Sequence, residues 1–529
     1  MAVGNGKLIF SKESVNLKRI ARIAATMTKV TNPQTERAER HSAVDMPAAT
    51  FRDIGHKLVD QLADLMSSLP QRPVTPAEQP SDLRKLIGAP SLIPMEGSDP
   101  KEVVAKAAKL LMDHSLYNSH PRFWGYITAG PAPIGILADL LAAGVNPNCG
   151  GWKLSPIASE IESQSIRWIA DLIGYSTSCG GILVSGGNMA NFVGFLSARA
   201  AKAPWDVRAK GHNDPDAKRM TAYVSAETHT WIQKATDLFG LGTNSVRWIP
   251  TDKKYRMDTN ALKAQIEADR AAGSLPFLVV GTAGSVSTGA VDPLYEIAAI
   301  CRKYDLWFHV DGAYGGFAAK VNGVPTDLKG ISEADSLAVD PHKWLYMPLE
   351  VGCALVKRPE AMINAFSYHP PYYHFEDERI NFVDYGMQNS RGFRALKVWL
   401  ALQQVGRAAY LKTLEEDIRL SQEMFRAAAE ETELETFTQG LSIATFRFVP
   451  ENLRSKRGEA ATEEYLNKLN EEIMLRIERS GEAFVSHAIL EGKFVLRACI
   501  VNFRTTAADV RAFPKVVCRF GRETDAAMR

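Results

Sequence analysis

Cysteine is scarce in this chain, and its spacing carries no metal signature. Six residues (Cys149, Cys179, Cys301, Cys353, Cys499 and Cys518) are scattered over 529 positions without a CxxC pair. That argues against a zinc site or a disulfide framework, and it suits a reducing compartment, so a cytoplasmic protein is expected. Long apolar runs are also missing: none reaches the length of a membrane span, and no membrane partner is expected. Charge of one sign is missing too. Sixty-two Lys and Arg against 60 Asp and Glu leave +2, which gives no general reason to expect nucleic acid. What remains is a chain 46% hydrophobic and 23% charged, the balance of a globular protein. Its length calls for about two or three domains.

The N-terminus stands apart. Lys7, Lys12, Lys18, Arg19, Arg22 and Lys29 face one acid, Glu13. Arg19-Ile-Ala-Arg-Ile-Ala-Ala25 fits a short basic amphipathic helix, one feature of an organellar transit peptide, but serines are few. A flexible basic leader over residues 1–45 is the expectation. Phe51, Ile54, Leu58, Leu62, Leu65 and Met66 then recur at helical spacing. Pro70, Pro73, Pro76 and Pro80 predict an extended connector before a second helix from Pro100 to His114. Residues 46–120 therefore read as an N-terminal helical segment. His120-Pro-Arg-Phe-Trp-Gly-Tyr-Ile127 is aromatic and aperiodic, like a loop lining something.

Between about 155 and 360, short β-branched runs alternate with helical stretches. The runs are Gly181–Val184, Thr221–Val224, Phe277–Val280, Leu306–Val310 and Ser336–Val339. Alternation of this kind predicts an α/β fold, a mostly parallel sheet covered by helices, within a large domain over 121–400. A long helix after Phe393, helices near 410–430 and 462–479, and strands at Leu441–Phe446 and Phe494–Val501 predict a small α+β domain over 401–529.

In a parallel sheet ligands sit at the carboxyl ends of strands, and the chemistry-bearing residues fall there. Ser336–Val339 runs into Asp340-Pro-His-Lys-Trp344. A lysine between an imidazole and an indole at a strand exit is placed to be partly desolvated. Desolvation favours the neutral amine, which forms an imine with an aldehyde such as pyridoxal phosphate (PLP). Taken alone, Lys343 would more often be a buried-stem lysine whose head reaches water. Leu306–Val310 ends in Asp311, a carboxylate able to keep the pyridine nitrogen of that cofactor charged. Gly181–Val184 leads into Ser185, Gly186, Gly187 and Asn188 and then an apolar helical stretch. Such a turn lets backbone N–H groups approach a phosphate, and it matches neither GxGxxG nor a Walker loop. Thr221–Val224 is followed by His229, able to lie flat on the ring. Phe277–Val280 is followed by a small, hydroxyl-rich loop containing Ala283, suited to close approach of a ligand. Each feature alone is weak; their shared order at successive strand ends is not.

These motifs resemble the group II pyridoxal-phosphate decarboxylases, and within them most the aromatic-L-amino-acid decarboxylases. Pro341-His-Lys-Trp344, His309-Val-Asp-Gly-Ala313 and His120-Pro-Arg-Phe123 carry the likeness, which runs from about Phe51 to about Val510. It implies the type I PLP fold and a homodimer with active sites at the subunit interface. It implies that Lys343 forms the imine, Asp311 pairs with the ring nitrogen, His229 stacks on the ring and Ala313 packs beneath it. Gly187, Asn188 and His342 would face the phosphate; several relatives have serine at the position of Asn188 and asparagine at that of Asp340, another candidate contact. Val383-Asp-Tyr-Gly-Met-Gln-Asn-Ser-Arg-Gly-Phe-Arg394 resembles the family's mobile catalytic loop. There Tyr385 would cross the dimer interface and protonate the substrate carbon once CO2 has left. Aldehyde-forming relatives replace this tyrosine, typically with phenylalanine, so its presence favours release of an amine.

The resemblance places Tyr126, Ile127, Thr128, Asn148, Gly150 and Trp152 around the substrate side chain. Tyr126 and Trp152 suit a flat ring, which makes tryptophan, tyrosine, dopa or phenylalanine the expected substrate. The alternatives are an acidic, glutamate-like substrate or an aromatic aldehyde synthase on the same scaffold. A non-enzymatic dimeric binding protein is disfavoured by the intact Lys, Asp, His and Tyr set.

Overall fold

The computed structural model describes residues 42–369 and 379–529, so most of the basic leader lies outside the described residues. Two compact units divide at Gln61 and Leu62. The described part of the first unit is dominated by the start of helix Ala48–Ser68, which carries the helical repeat noted above.

The second unit, Leu62–Arg529, contains the strands and the cavity. Two of its early prolines do more than break the chain. Pro80 and Pro100 sit at the first turn of helices Pro80–Leu86 and Pro100–Asp113, where a missing N–H costs nothing. The strands are β1 (Phe123–Trp124), β2 (Gly180–Val184), β3 (Met220–Ser225), β4 (Val246–Ile249), β5 (Leu275–Thr282), β6 (Trp307–Asp311), β7 (Ser336–Val339), β8 (Gly352–Val356), β9 (Leu434–Gly440), β10 (Ile443–Phe448), β11 (Phe484–Leu490) and β12 (Lys493–Cys499).

Seven strands form the large sheet in the order β2-β8-β7-β6-β5-β3-β4. All run parallel except β8, which pairs antiparallel with both β2 and β7. Every residue of β2, β3, β6, β7 and β8 is buried, as expected for strands covered on both faces. Helices Gly187–Lys202, Thr259–Ala271 and Leu294–Tyr304 pack against this sheet. The sequence reading missed β4 and β8. β4 is an edge strand whose Val246 and Ile249 face in while Trp248 is exposed. β8 is reached from β7 through a short segment, without the helical crossover that parallel neighbours require.

The second sheet has the order β1-β11-β12-β10-β9. Helices Ala460–Ser480 and Ala507–Met528 and the long helix Ala395–Glu430 cover it. That long helix is broken at Gly406 (φ 71°, ψ 163°), which separates the two helical stretches anticipated there. Of the aromatic segment after His120, Phe123 and Trp124 belong to this sheet's edge, and the following turn carries Ile127 to the cavity. Phe123 and Trp124 pair in parallel with Phe484 and Val485. His120 is fully buried: its Nε2 contacts the Arg72 carbonyl oxygen at 3.1 Å, and its own carbonyl accepts from the Asn502 amide at 2.7 Å. Desolvation pushes its imidazole down to about 4, so it is neutral and structural.

One buried ion pair ties the segment that carries Tyr385 to the large sheet. Arg391 and Glu162 have fully buried side chains. Arg391 Nη1 donates to Glu162 Oε2 (3.1 Å) and to the Cys149 carbonyl (2.9 Å), and Nη2 donates to the Leu183 carbonyl (2.7 Å). Leu183 N–H returns a bond to Glu162 Oε1 (3.0 Å). Replacing Glu162 with Ala strands a buried guanidinium, which should cost about 3–5 kcal/mol. Thermal or denaturant unfolding of the purified variant measures this, and a loss below about 1 kcal/mol would show that water replaces the carboxylate.

Candidate active site

The carboxyl ends of β2, β3, β5, β6 and β7 open onto a cavity of about 730 Å³. Ser185, Gly186, Gly187 and Asn188 line it after β2, His229 after β3, Thr282 and Gly284 around the end of β5, Asp311 and Ala313 at β6, and Asp340, His342 and Lys343 after β7. Residues up to 158 positions apart (185 and 343) thus meet because parallel strands deliver every loop to one edge.

Lys343 is held by its own segment. Its Nζ lies 3.0 Å from Asp340 Oδ2, with the Asp340 side chain 2% exposed. Asp340 Oδ1 is buried without a hydrogen-bond partner among the described residues. His342 Nε2 is 3.7 Å from the same carboxylate. Burial holds His342 below the ordinary imidazole value, so the contact is not an ion pair near neutrality. Beneath this segment Asp417, from helix Ala395–Glu430, accepts the Trp344 indole N–H (2.9 Å) and the Tyr346 hydroxyl (2.7 Å). Complete burial raises the Asp417 carboxyl to about 7 despite those donors. Trp344 also stacks on Tyr314 at 4.8 Å, and Tyr314 lines the cavity.

On the neighbouring strand β6, Asp311 accepts the Trp231 indole N–H at Oδ2 (2.8 Å) and the Ala313 N–H at Oδ1 (3.1 Å). His229 faces the open cavity, yet surrounding protein lowers its pKa by desolvation, partly offset by Asp311. Behind Asp311, His309 is buried and pushed down to about 4 by desolvation. Its ring nitrogens reach Ser336 Oγ and Asn191 Oδ1, each at 2.7 Å, which pins β6 to β7 and to helix Gly187–Lys202.

The turn after β2 is built for close approach. Gly186 has φ 132°, a conformation that side chains rarely adopt. Gly187 opens the helix, and a Cβ there would lie 2.6 Å from Asp340 Oδ2 and 3.2 Å from the Ala313 Cβ. Its first-turn N–H groups and helix dipole favour an anion. A cradle sealed against a Cβ, an amine, a carboxylate lining the same cavity and an orphaned buried acceptor together fit PLP: Gly186–Asn188 for the phosphate, Lys343 for the aldehyde and Asp311 for the ring nitrogen.

Of the other anticipated residues, one reaches the cavity in this chain. Ile127 lines the cavity, but Tyr126 and Thr128 are not among its lining residues. Ala283 is fully buried, with Thr282 and Gly284 reaching the cavity on either side. Asn148, Gly150 and Trp152 hold the segment that contains Tyr385. Asn148 Oδ1 accepts from Arg391 N–H (3.1 Å), Asn381 Oδ1 accepts from Trp152 N–H (3.0 Å), and the Gly150 carbonyl accepts from Val383 N–H (3.0 Å). A Cβ on Gly150 would collide with the Asn389 carbonyl oxygen, which accounts for a glycine there. Tyr385 packs against Phe382 (6.0 Å between rings), outside its own chain's cavity lining. Desolvation raises its phenol above the usual value. Sequence reasoning missed Trp231, Asp417 and Asn191, whose partners are 71 to 118 residues distant. The one available signal was Trp231, two positions after His229.

A family model described as the pyridoxal-dependent decarboxylase conserved domain matches residues 80–448. An aromatic-L-amino-acid decarboxylase of Bacillus atrophaeus is 34% identical over 473 residues, covering 88% of this chain and 94% of the relative. A phenylacetaldehyde synthase of Petunia hybrida is 28% identical over 461 residues, covering 85% and 90%. A crystal structure of Oryza sativa TDC with PLP and tryptamine superposes with a TM-score of 0.83 at 25% identity, covering 91% of this chain and 99% of that one.

Replacing Gly187 with Ala should push the new methyl into Asp340 and weaken cofactor binding roughly tenfold or more, a steric cost of about 1–3 kcal/mol. Titration of the cofactor-free protein with PLP, followed by visible absorption, measures this; wild-type affinity would show that the turn does not receive the phosphate.

Proposed function

The chain belongs to the pyridoxal-dependent decarboxylases, and we propose that within that family it converts an aromatic L-amino acid to its amine and CO2. The carrying observation is that the Lys343 amine, the Asp311 carboxylate and the glycine-capped helix N-terminus open onto one cavity. PLP, when bound, supplies an aldehyde for the amino group and an electron-withdrawing ring that takes up the electron pair released as CO2 departs.

The chain's own residues have separable tasks. Lys343 would hold the cofactor aldehyde through its ε-amine, the group that a substrate amine would replace. Asp311, held by two N–H donors, keeps a fixed carboxylate for the ring nitrogen. The turn Gly186–Asn188 and His342 would hold the phosphate, and His229, neutral near pH 7, would offer a flat face. Asp340 receives the Lys343 ammonium when the lysine is displaced, since the two already lie 3.0 Å apart.

Tyr385 supplies the proton to the substrate α-carbon, and its raised pKa keeps the phenol protonated for the task. Since Tyr385 does not line its own cavity, it serves that of a second copy, in a homodimer with shared sites. Asn148, Gly150 and Trp152, which hold the same segment, accompany it. An aromatic substrate is supported by the cavity's apolar wall of Ile127, Phe192, Val286 and Leu349, and by the relatives' named activities. Six unpaired cysteines support a reducing, cytoplasmic setting. Among the described residues no helix is long and apolar enough to cross a membrane.

An amine-release assay over the common L-amino acids should give turnover on tryptophan, tyrosine, dopa or phenylalanine; release confined to glutamate would overturn the aromatic assignment. Lys343→Ala should abolish both turnover and the borohydride-stable cofactor adduct, and an adduct at another lysine would refute its role. In air, Tyr385→Phe should divert product to aldehyde and ammonia, with dioxygen as the oxidant reduced to hydrogen peroxide. Mixing that variant with Lys343→Ala should restore amine release through hybrid dimers; no restoration would place Tyr385 in its own chain's site.

A further inference from the structure

We propose that Trp231 is a positioning residue that fixes both groups flanking the cofactor ring, Asp311 through its indole N–H and His229 through its backbone N–H. The inference rests on the site assignment given under the proposed function and deepens it.

Trp231 begins helix Trp231–Leu238, two positions after His229, and is fully buried. Its Nε1–H donates to Asp311 Oδ2 at 2.8 Å. The other carboxylate oxygen is held by Ala313 N–H at 3.1 Å. Donors from two different loops, one on each oxygen, leave the carboxylate a single rotamer and a single plane. That matters because pairing with a ring nitrogen is directional. The indole is itself locked: it meets His309 edge-to-face at 5.7 Å, and His309 is bonded through both ring nitrogens.

The backbone N–H of Trp231 donates to His229 Nδ1 at 3.3 Å. With Nδ1 accepting, the neutral ring carries its proton on Nε2, the tautomer being set by the partner. One buried residue therefore couples the orientation of the group expected at the ring's edge to that of the group expected at its face. Replacing the side chain removes the first bond and leaves the second.

The test compares Trp231→Phe with a protein carrying 3-benzothienylalanine at position 231, which keeps the bicyclic shape but puts sulfur in place of the N–H. Each is stripped of cofactor and titrated with PLP, reading the dissociation constant and the visible absorption band; unfolding of the cofactor-free forms is followed separately. Loss of one bond to a charged group should raise the dissociation constant roughly tenfold and shift the band, with the benzothienyl protein melting as wild type does. Wild-type affinity and an unchanged band in the folded benzothienyl protein would overturn the proposal, whether or not Trp231→Phe folds. Failure of the wild-type protein to bind PLP would instead remove the reading of the site, and this proposal with it.

Discussion

A lysine amine held 3.0 Å from a buried carboxylate is the contact around which the cavity is arranged. Asp340 is too deeply buried to carry charge without compensation, and Lys343 supplies it. Both belong to a tight turn after β7, so this turn, rather than any long side chain, sets where the amine emerges. The support beneath is polar and specific. Asp417 takes donors from Trp344 and Tyr346, and Tyr314 stacks on Trp344 and bonds Ser442 Oγ at 2.6 Å. These contacts join the lysine segment to the long helix and to the smaller sheet, so the amine's position depends on elements from both halves of the second unit.

The rest of the cavity wall follows the same design with other residues. Asp311, His229 and the glycine turn come from three strand ends, and the buried Trp231, His309, Asn191 and Ser336 network lashes those ends together. Gly194 exists in this scheme for space: a Cβ there would lie 2.6 Å from the His309 ring. Low dielectric strengthens each of these bonds and makes an unmade one costly, which favours a single arrangement of the cavity wall. The segment with Tyr385 is anchored differently, through the Arg391–Glu162 pair and the strip Asn148–Trp152. Its tether is rigid at the base, consistent with the proposal that its tyrosine acts in a second copy.

Much of this was legible along the chain. Short β-branched runs gave five of the seven large-sheet strands because buried parallel strands are nearly continuous in apolar residues. β4 was hidden by its exposed Trp248, and β8 by the lack of a long helix before it, only the single turn Pro341–Trp344 standing between β7 and β8. In the smaller sheet β9 and β11 were not seen. β9 is only half-buried along its length, and β11 turns His487 and Ile489 outward, so neither carries a strong apolar run. In the segment His120–Ile127, expected to line a site, Ile127 does line the cavity, while Phe123 and Trp124 form a sheet edge that aromatic, aperiodic sequence does not distinguish from a cavity wall.

Sequence by itself determined the chemistry on offer: a lysine, an aspartate, a histidine and a glycine turn, each directly after a strand, where local order alone decides what a loop presents. Tertiary structure decided which of these share a space and what holds them. The indole on Asp311, the carboxylate under Trp344 and the placement of Tyr385 outside its own cavity depend on residues brought together from tens to hundreds of positions apart, and no local pattern encodes such pairings. The same holds for Gly150, expected around the substrate side chain, where the folded chain instead lets the Asn389 carbonyl pass.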